Sequence, residues 1–313
     1  MKKKLLACAI SLIFPLFGED NFRMSAQFFT GYLDGIMNEY VYINSSSKKI
    51  SQLDWEMTDF FYSGAKAQFE YKKLSFDIGA AEFFPKNSGT MEDSDWTGIE
   101  NNTGFSGKTM LSISDNTLSK GFFIFTNAGY TFNIKNFFNI FLSAGLKYSL
   151  FKFEADHNYF WYADDSNYWY TADVTYTPEK SITLQRNDFS VILRLQPVFI
   201  IPIAKNSLKI SPFYQTAPYS HLKDMDNHLY RSLYFLDEAS VFFYSNTTGL
   251  DISYTLSKFT FSAEYNYHFL PEFSCKSYVN SKSFDSALAK LSSKGGFAES
   301  WHNFQIGIEY RFF

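Results

Sequence analysis

Phe259-Thr260-Phe261-Ser262-Ala263-Glu264-Tyr265-Asn266-Tyr267-His268-Phe269 is the stretch on which the fold turns. Every odd position is aromatic or small and apolar. Every even position is polar. That is the period of a β-strand with one apolar face, because successive side chains point to opposite sides of the backbone. The pattern recurs. Phe138, Ile140, Leu142, Ala144, Leu146, Tyr148 and Leu150 share one face, with Phe141 as an apolar residue on the other. At the end of the chain, Phe304, Ile306, Ile308, Tyr310 and Phe312 alternate with Gln305, Gly307, Glu309 and Arg311.

A soluble sandwich also alternates. Three features favour a barrel in a membrane. The segments exceed the usual strand length of about 5–6 residues. The apolar face is aromatic, in a chain with 37 Phe and 22 Tyr among 313 residues. The chain closes on an alternating strand that ends in Phe313. Turns alternate short and long. Tyr71-Lys72-Lys73, Asn133 to Asn136, Ala204 to Ser207 and Leu256-Ser257-Lys258 are tight and polar, whereas Lys86 to Asn116 and Ser274 to Glu299 read as long polar loops. Short turns on one side and long loops on the other are the plan of outer-membrane barrels. The expected fold is therefore all-β, an antiparallel up-and-down transmembrane barrel of about ten strands with long extracellular loops.

The first residues, Met1-Lys2-Lys3-Lys4 followed by Leu5 to Phe17, have the basic and apolar regions of a secretory signal. Residues 1–18 are expected to be removed, leaving 19–313 as the barrel in the bacterial outer membrane. Leu5-Leu6-Ala7-Cys8 has the outline of a lipid-attachment motif, but too few apolar residues precede it, and Cys8 is expected to leave with the signal. Cys275 then has no partner for an internal disulfide. The chain has 28 basic and 32 acidic residues. Loss of Lys2, Lys3 and Lys4 leaves 25 − 32 = −7. That excludes nucleic acid as an expected partner and favours a cationic one.

Two short clusters could carry chemistry. In Met91-Glu92-Asp93-Ser94-Asp95-Trp96 the two aspartates share a strand face, where each disfavours ionisation of the other. The pair could hold a water or share a proton, or be a solvated acidic loop or a calcium site. In Asp224-Met225-Asp226-Asn227-His228 the same spacing sets a carboxylate beside an imidazole. A carboxylate fixes the tautomer and raises the basicity of the ring, which suits a general base; a polar loop holding a histidine is the alternative. Phase separates the clusters. Asp93 and Asp95 fall on the inward, odd face of their strand. Asp224, Asp226 and His228 share parity with the outward Leu208, Ile210 and Tyr214, and point inward only if a bulge at Pro218 shifts the register.

The two clusters in this order resemble the omptins, outer-membrane endopeptidases with ten-stranded barrels. Gly31, Gly35, Glu39 and Tyr42 are similar to the family's first strand, Ser51-Gln52-Leu53-Asp54-Trp55 to its second, and Gly295-Gly296 through Phe313 to its last. The resemblance implies that Asp93, Asp95, Asp226 and His228 are catalytic. Water would be held between the two pairs, His228 would take its proton, Asp226 would orient His228, and the aspartate pair would position the water and steady the tetrahedral intermediate. Ser112 matches a serine near the site and reads as a neighbour. Glu39 and Asp224 match an acidic pocket for Arg or Lys before the scissile bond, so peptides or proteins with basic residues are the expected substrates. No cofactor or metal is implied. Two departures stand out. Met110 falls where the family has an acid in the next subsite, which leaves a dibasic preference unsupported. Leu146, Tyr148 and Leu150 fall on the family's lipopolysaccharide motif, where apolar groups cannot pair with phosphates, so the motif is absent and activity is expected without lipopolysaccharide. An adhesin or binding barrel without catalysis is the alternative, and a pore a third reading.

Overall fold

The computed structural model describes residues 22–43, 48–96, 108–162, 174–281, 283 and 289–312. The expected signal segment, 1–18, and most of the long loop between Trp96 and Ser112 lie outside these residues. Thirteen antiparallel strand segments follow in order: β1 (Phe22–Tyr42), β2 (Lys49–Tyr71), β3 (Leu74–Phe83), β4 (Lys86–Asp95), β5 (Met110–Lys135), β6 (Phe138–Tyr162), β7 (Val174–Thr177), β8 (Ile182–Ile203), β9 (Asn206–His228), β10 (Leu233–Val241), β11 (Asn246–Leu256), β12 (Phe259–Asn280) and β13 (Ala289–Arg311).

The segments make ten staves. β3 and β4 run end to end between β2 and β5, and β10 and β11 run end to end between β9 and β12. β7 pairs only the upper end of β6, beyond the reach of β8. The ring closes where β1 pairs β13, from Ser25↔Arg311 to Tyr42↔Lys294. Closure leaves the staves no free edge in the belt among the described residues, which is what lets strands cross a membrane.

One end of the barrel is tied by two-residue turns at 72–73, 136–137, 204–205 and 257–258. Lys72, Ala204 and Ser257 take positive φ there, the backbone twist that matches a tight hairpin. The turn between β5 and β6 falls slightly later than the sequence suggests, after a register shift between Asn133 and Lys135.

Outward faces near these turns are apolar. Phe76, Ile78, Ile124, Leu142, Leu195, Ile201, Phe261 and Ile308 are all exposed. The belt ends at about the level of Phe61, Phe84, Phe189 and Phe242, above which polar residues stand on the staves, as Asp59 on β2, Lys152 on β6, Gln185 on β8 and Lys223 on β9. The stretches from Lys86 and from Ser274, expected as loops, are largely strand. They stand above the belt, so neither face needs to be apolar and the alternation that marks a membrane strand is lost.

Bulges break the register on several staves. On β9 the pairing with β8 jumps from Leu193↔Thr216 to Val191↔Tyr219, so Ala217 and Pro218 face Ile192 alone. Pro218 has no N–H to give the ladder. Ala217 instead bonds across to the chain break between β10 and β11, donating to the Ser245 carbonyl and accepting from Phe243 N–H, both at 2.9 Å. The slip turns the inward face from Ser211, Phe213 and Ala217 to Ser220, Leu222, Asp224 and Asp226, all buried.

Aromatic side chains fill the barrel at mid-height. Trp55, Phe60, Tyr62, Phe83, Phe151 and Phe153 form one buried cluster with Leu33, Met37, Leu118 and Leu184. Phe60 stacks on Phe153 at 5.9 Å between ring centroids, and Tyr62 packs on Phe83 at 5.0 Å. Below the cluster lies a cavity of about 510 Å³ with a polar lining that includes Lys66, Asp77, Asn127, Arg194 and Glu264 and reaches up beside the cluster to Arg186, His268 and Glu299.

Candidate active site

His228 closes β9 just before a single 3-10 turn, Leu229–Arg231. It pairs Ile182 of β8, while His221 pairs Phe189 in the belt. Seven residues separate the two pairs, which at about 3.3 Å per residue puts His228 roughly 23 Å along the strand from the top of the belt. The site therefore stands clear of the lipid.

On β9, His228 Nε2 lies 2.6 Å from Asp226 Oδ2. The Phe235 ring of β10 packs edge-on against the imidazole, with centroids 5.1 Å apart. On the opposite side, β4 is held between β2 and β5 by the pairs Leu53↔Asp93, Ser51↔Asp95, Asp93↔Ser112 and Asp95↔Met110. Asp93 and Ser112 are both buried. Gly89, at φ +94, lets β4 step back into phase after its break from β3, so Met91, Asp93 and Asp95 turn into the barrel.

The two pairs act on each other electrostatically. Burial, then the nearby Asp95, push the Asp93 carboxyl up to about 7, while His228 and Arg231 oppose the rise. Burial also raises Asp95, against a hydrogen bond from Ser51. For His228, burial favours the neutral ring, but the Asp226 charge and hydrogen bond outweigh it, with help from Asp93, and its proton affinity is raised. Asp93 Oδ1 and Asp226 Oδ1 are buried with no protein hydrogen-bond partner.

Below this pair of pairs lies a second acidic group that also contains a cation. Glu39 of β1 accepts from Trp55 Nε1 at 3.1 Å. Asp224 is 1% exposed and pairs directly with Arg186 of β8, itself 2% exposed. Arg186 Nε donates to both Asp224 oxygens, at 2.8 and 3.0 Å, and a terminal nitrogen donates to the same carboxylate. The guanidinium then reaches Glu299 Oε2 of β13 at 3.5 Å and the Asn38 carbonyl of β1 at 3.3 Å. Glu299 is tied in turn to His268, 3.0 Å away, whose ring stacks on Trp301 at 4.4 Å. Asp237 of β10 borders the group. Burial lifts it to about 7 against a hydrogen bond from Ser277. It fits only because residue 295 is glycine, since a β-carbon there would meet Asp237 Oδ2 at 2.0 Å.

Sequence reasoning brought Asp93, Asp95, Asp226, His228, Glu39 and Asp224 to one end of the barrel, and the structure sets all six on its inner wall. It missed Arg186, Asp237, Glu299 and Arg231. Inward alternation on β8 would have placed Arg186 in the lumen, but nothing in the sequence joins it to Asp224. Leu146, Tyr148 and Leu150 lie on β6, with Leu146 exposed on the outer wall and the Tyr148 hydroxyl bonded to Asn187 at 2.9 Å. Among the described residues, one group, Asp115, Asp156 and His157, has donor atoms close enough to share a metal ion. It is at the rim, and His157 Nδ1 already meets Asp156 at 2.9 Å.

A closed barrel with an apolar belt and a facing set of acids and imidazole on its inner wall defines an outer-membrane protein with a polar inner wall at its outer end. The Omptin family matches residues 20–312, and the chain belongs to that family of outer-membrane proteases. The crystal structure of the outer membrane protease OmpT from Escherichia coli is similar over 93% of this chain and 97% of that one, with TM-score 0.79 at 15% identity. Looser likenesses are the transport unit of the autotransporter AIDA-I from Escherichia coli, with TM-score 0.38 at 10% identity over 92% of this chain and 90% of that one. The translocator domain of NalP from Neisseria meningitidis has TM-score 0.38 at 11% identity, over 99% of this chain and 96% of that one. No curated protein sequence matches the chain.

Proposed function

We propose that this chain is an outer-membrane endopeptidase that cuts peptides by direct attack of water, with no acyl-enzyme. The observation that carries the reading is that His228 Nε2 lies 2.6 Å from Asp226 on β9, with Asp93 across the barrel on β4, while Asp93 Oδ1 and Asp226 Oδ1 are buried carboxylate oxygens that lack protein partners. Such oxygens are costly unless a water or a peptide N–H reaches them.

With Nε2 committed to Asp226, Nδ1 of His228 is the nitrogen that takes a proton from water. The water oxygen attacks the scissile carbonyl carbon. The resulting oxyanion is met by Asp93, whose raised proton affinity lets it hold a proton there, with Asp95 beside it. The imidazolium, steadied by Asp226, returns its proton to the leaving nitrogen as the C–N bond breaks. Ser112 lies opposite Asp93 in the ladder and supports it without acting as a nucleophile.

The expectation of a basic residue before the cut rests on Glu39 and Asp224. Negative charge on the inner wall, from Asp224, Asp226 and Glu299, supports a preference for basic peptides as a class. Adhesion without catalysis is the second reading, and it gives no reason for a carboxylate to be held 2.6 Å from His228. The test is a pair of quenched basic peptides, one with a central Arg-Lys and one with a central norleucine-Lys, incubated with refolded protein and with Asp226→Ala and His228→Ala variants. Cleavage by the wild type alone is expected. Cleavage by all three, or by none, counts against the reading.

A further inference from the structure

The pocket next to the catalytic pair is already occupied by a positive charge from the protein itself. Asp224 and Asp226 are two residues apart on one face of β9, so their side chains emerge about 7 Å apart. A substrate residue beside the scissile bond therefore reaches the Glu39–Asp224 group if its neighbour reaches His228. That group is where an arginine of the substrate would be recognised, because a guanidinium matches a carboxylate by two parallel hydrogen bonds. Arg186 makes that contact. It binds both oxygens of Asp224 and stretches from β8 to β13 and β1, so both ends of its guanidinium are engaged.

We infer that Arg186 is a specificity-determining residue: it stands in the pocket as a resident cation, and the position before the cut takes an uncharged side chain. The inference rests on the proposed peptidase reading for its catalytic arm. Attraction of basic peptides to the acidic wall is retained, but the residue at the cut need not be basic. Two further observations agree. Burial and the neighbouring Asp226 and Asp224 raise Glu39 well above the usual carboxylate range, which weakens it as a second charge for an incoming cation. Phe297 lies under the guanidinium, with its ring centroid 5.3 Å from the Arg186 carbon, which fixes the side chain from below. An incoming arginine would meet a like charge inside a water-poor cleft, which strongly disfavours it.

Three peptides that differ only at the residue before the mapped cut, carrying Arg, norleucine or Ala, test the catalytic arm. The wild type is expected to cut the norleucine peptide at least as well as the Arg peptide. In Arg186→Met the preference is expected to swing toward Arg by roughly ten- to a hundredfold in kcat/KM. A second measurement needs no catalysis. Benzamidine, an amidinium of the right size, is titrated calorimetrically into the folded protein in detergent. Wild type is expected not to bind it, and Arg186→Met to bind it. If Arg186→Met does not fold with its Asp224 left unpaired, the wild-type profile and the wild-type titration still decide. Strict dependence of the wild type on Arg or Lys, or benzamidine binding that Arg186 does not block, overturns the inference. Absence of any cleavage overturns the peptidase reading, and benzamidine binding then judges the pocket separately.

Discussion

Replacing Asp226 by Asn keeps the shape of the side chain and removes its charge. The contact it alters is the 2.6 Å hydrogen bond to His228 Nε2. A hydrogen bond to a charged group contributes about 1.5–3 kcal/mol. As His228 becomes an imidazolium in the transition state, that contribution is lost when it matters most. At about 1.4 kcal/mol per factor of ten, kcat/KM falls by roughly 10- to 150-fold. Loss of ring orientation adds to this, up to the roughly 10²–10⁴-fold that a whole general base supplies. The pH dependence moves in the opposite sense to intuition for a crippled enzyme. In the wild type, burial lowers the proton affinity of His228 and Asp226 more than restores it, so the acid limb of kcat/KM lies above the ordinary histidine value of about 6.5. Without the Asp226 charge, burial is opposed by less, and the acid limb moves to lower pH. The assay is kcat/KM on a quenched basic peptide from pH 4.5 to 9, with folding of both proteins checked by heat-modified gel mobility. An acid limb that stays in place or rises, or a loss smaller than about threefold, refutes the assignment of His228 as base.

Asp93, pushed up to about 7, binds a proton in the folded state that the unfolded chain gives up near pH 4. The folded state therefore loses stability as pH rises between these values, and Asp93→Asn should remove that fall; equal slopes of unfolding midpoint between pH 5 and 8 in both proteins would refute it. Phe60 is fully buried against Phe83, Phe151 and Phe153, so Phe60→Ala should cost about 3–5 kcal/mol. A shift in urea unfolding worth less than about 1 kcal/mol would show that the mid-height cluster is not a packed core. Added lipopolysaccharide should leave activity in detergent unchanged, because Leu146, Tyr148 and Leu150 offer no phosphate partner; strict dependence would sink that expectation.

The barrel was legible where lipid imposes a rule. On β11, β12 and β13 the outer face must be apolar, and Phe259 to Phe269 spells that out. Above the belt the rule lapses. β4 and the upper parts of β5, β12 and β13 have water on one side and a polar cleft on the other, so Lys86 to Asn116 reads as loop. The inward turn of Asp226 and His228 was half legible. Pro218 marked a place where the ladder had to yield, but only the second chain break, at Phe243 to Ser245, shows where the freed groups of Ala217 go. Arg186 was not legible, since its partners come from β9, β13 and β1, far apart in sequence.

The mid-height cluster has a consequence for traffic. Trp55, Phe60, Phe83 and Phe153 act as a stopper between the upper cleft and the polar cavity near the turns. A tube stoppered in this way is a cup. A bound chain enters and departs through the same opening, so both fragments of a cut peptide are released on the side from which it came. The lower chamber reaches up to Arg186, His268 and Glu299, so the floor it shares with the cup is where a change of taste would begin.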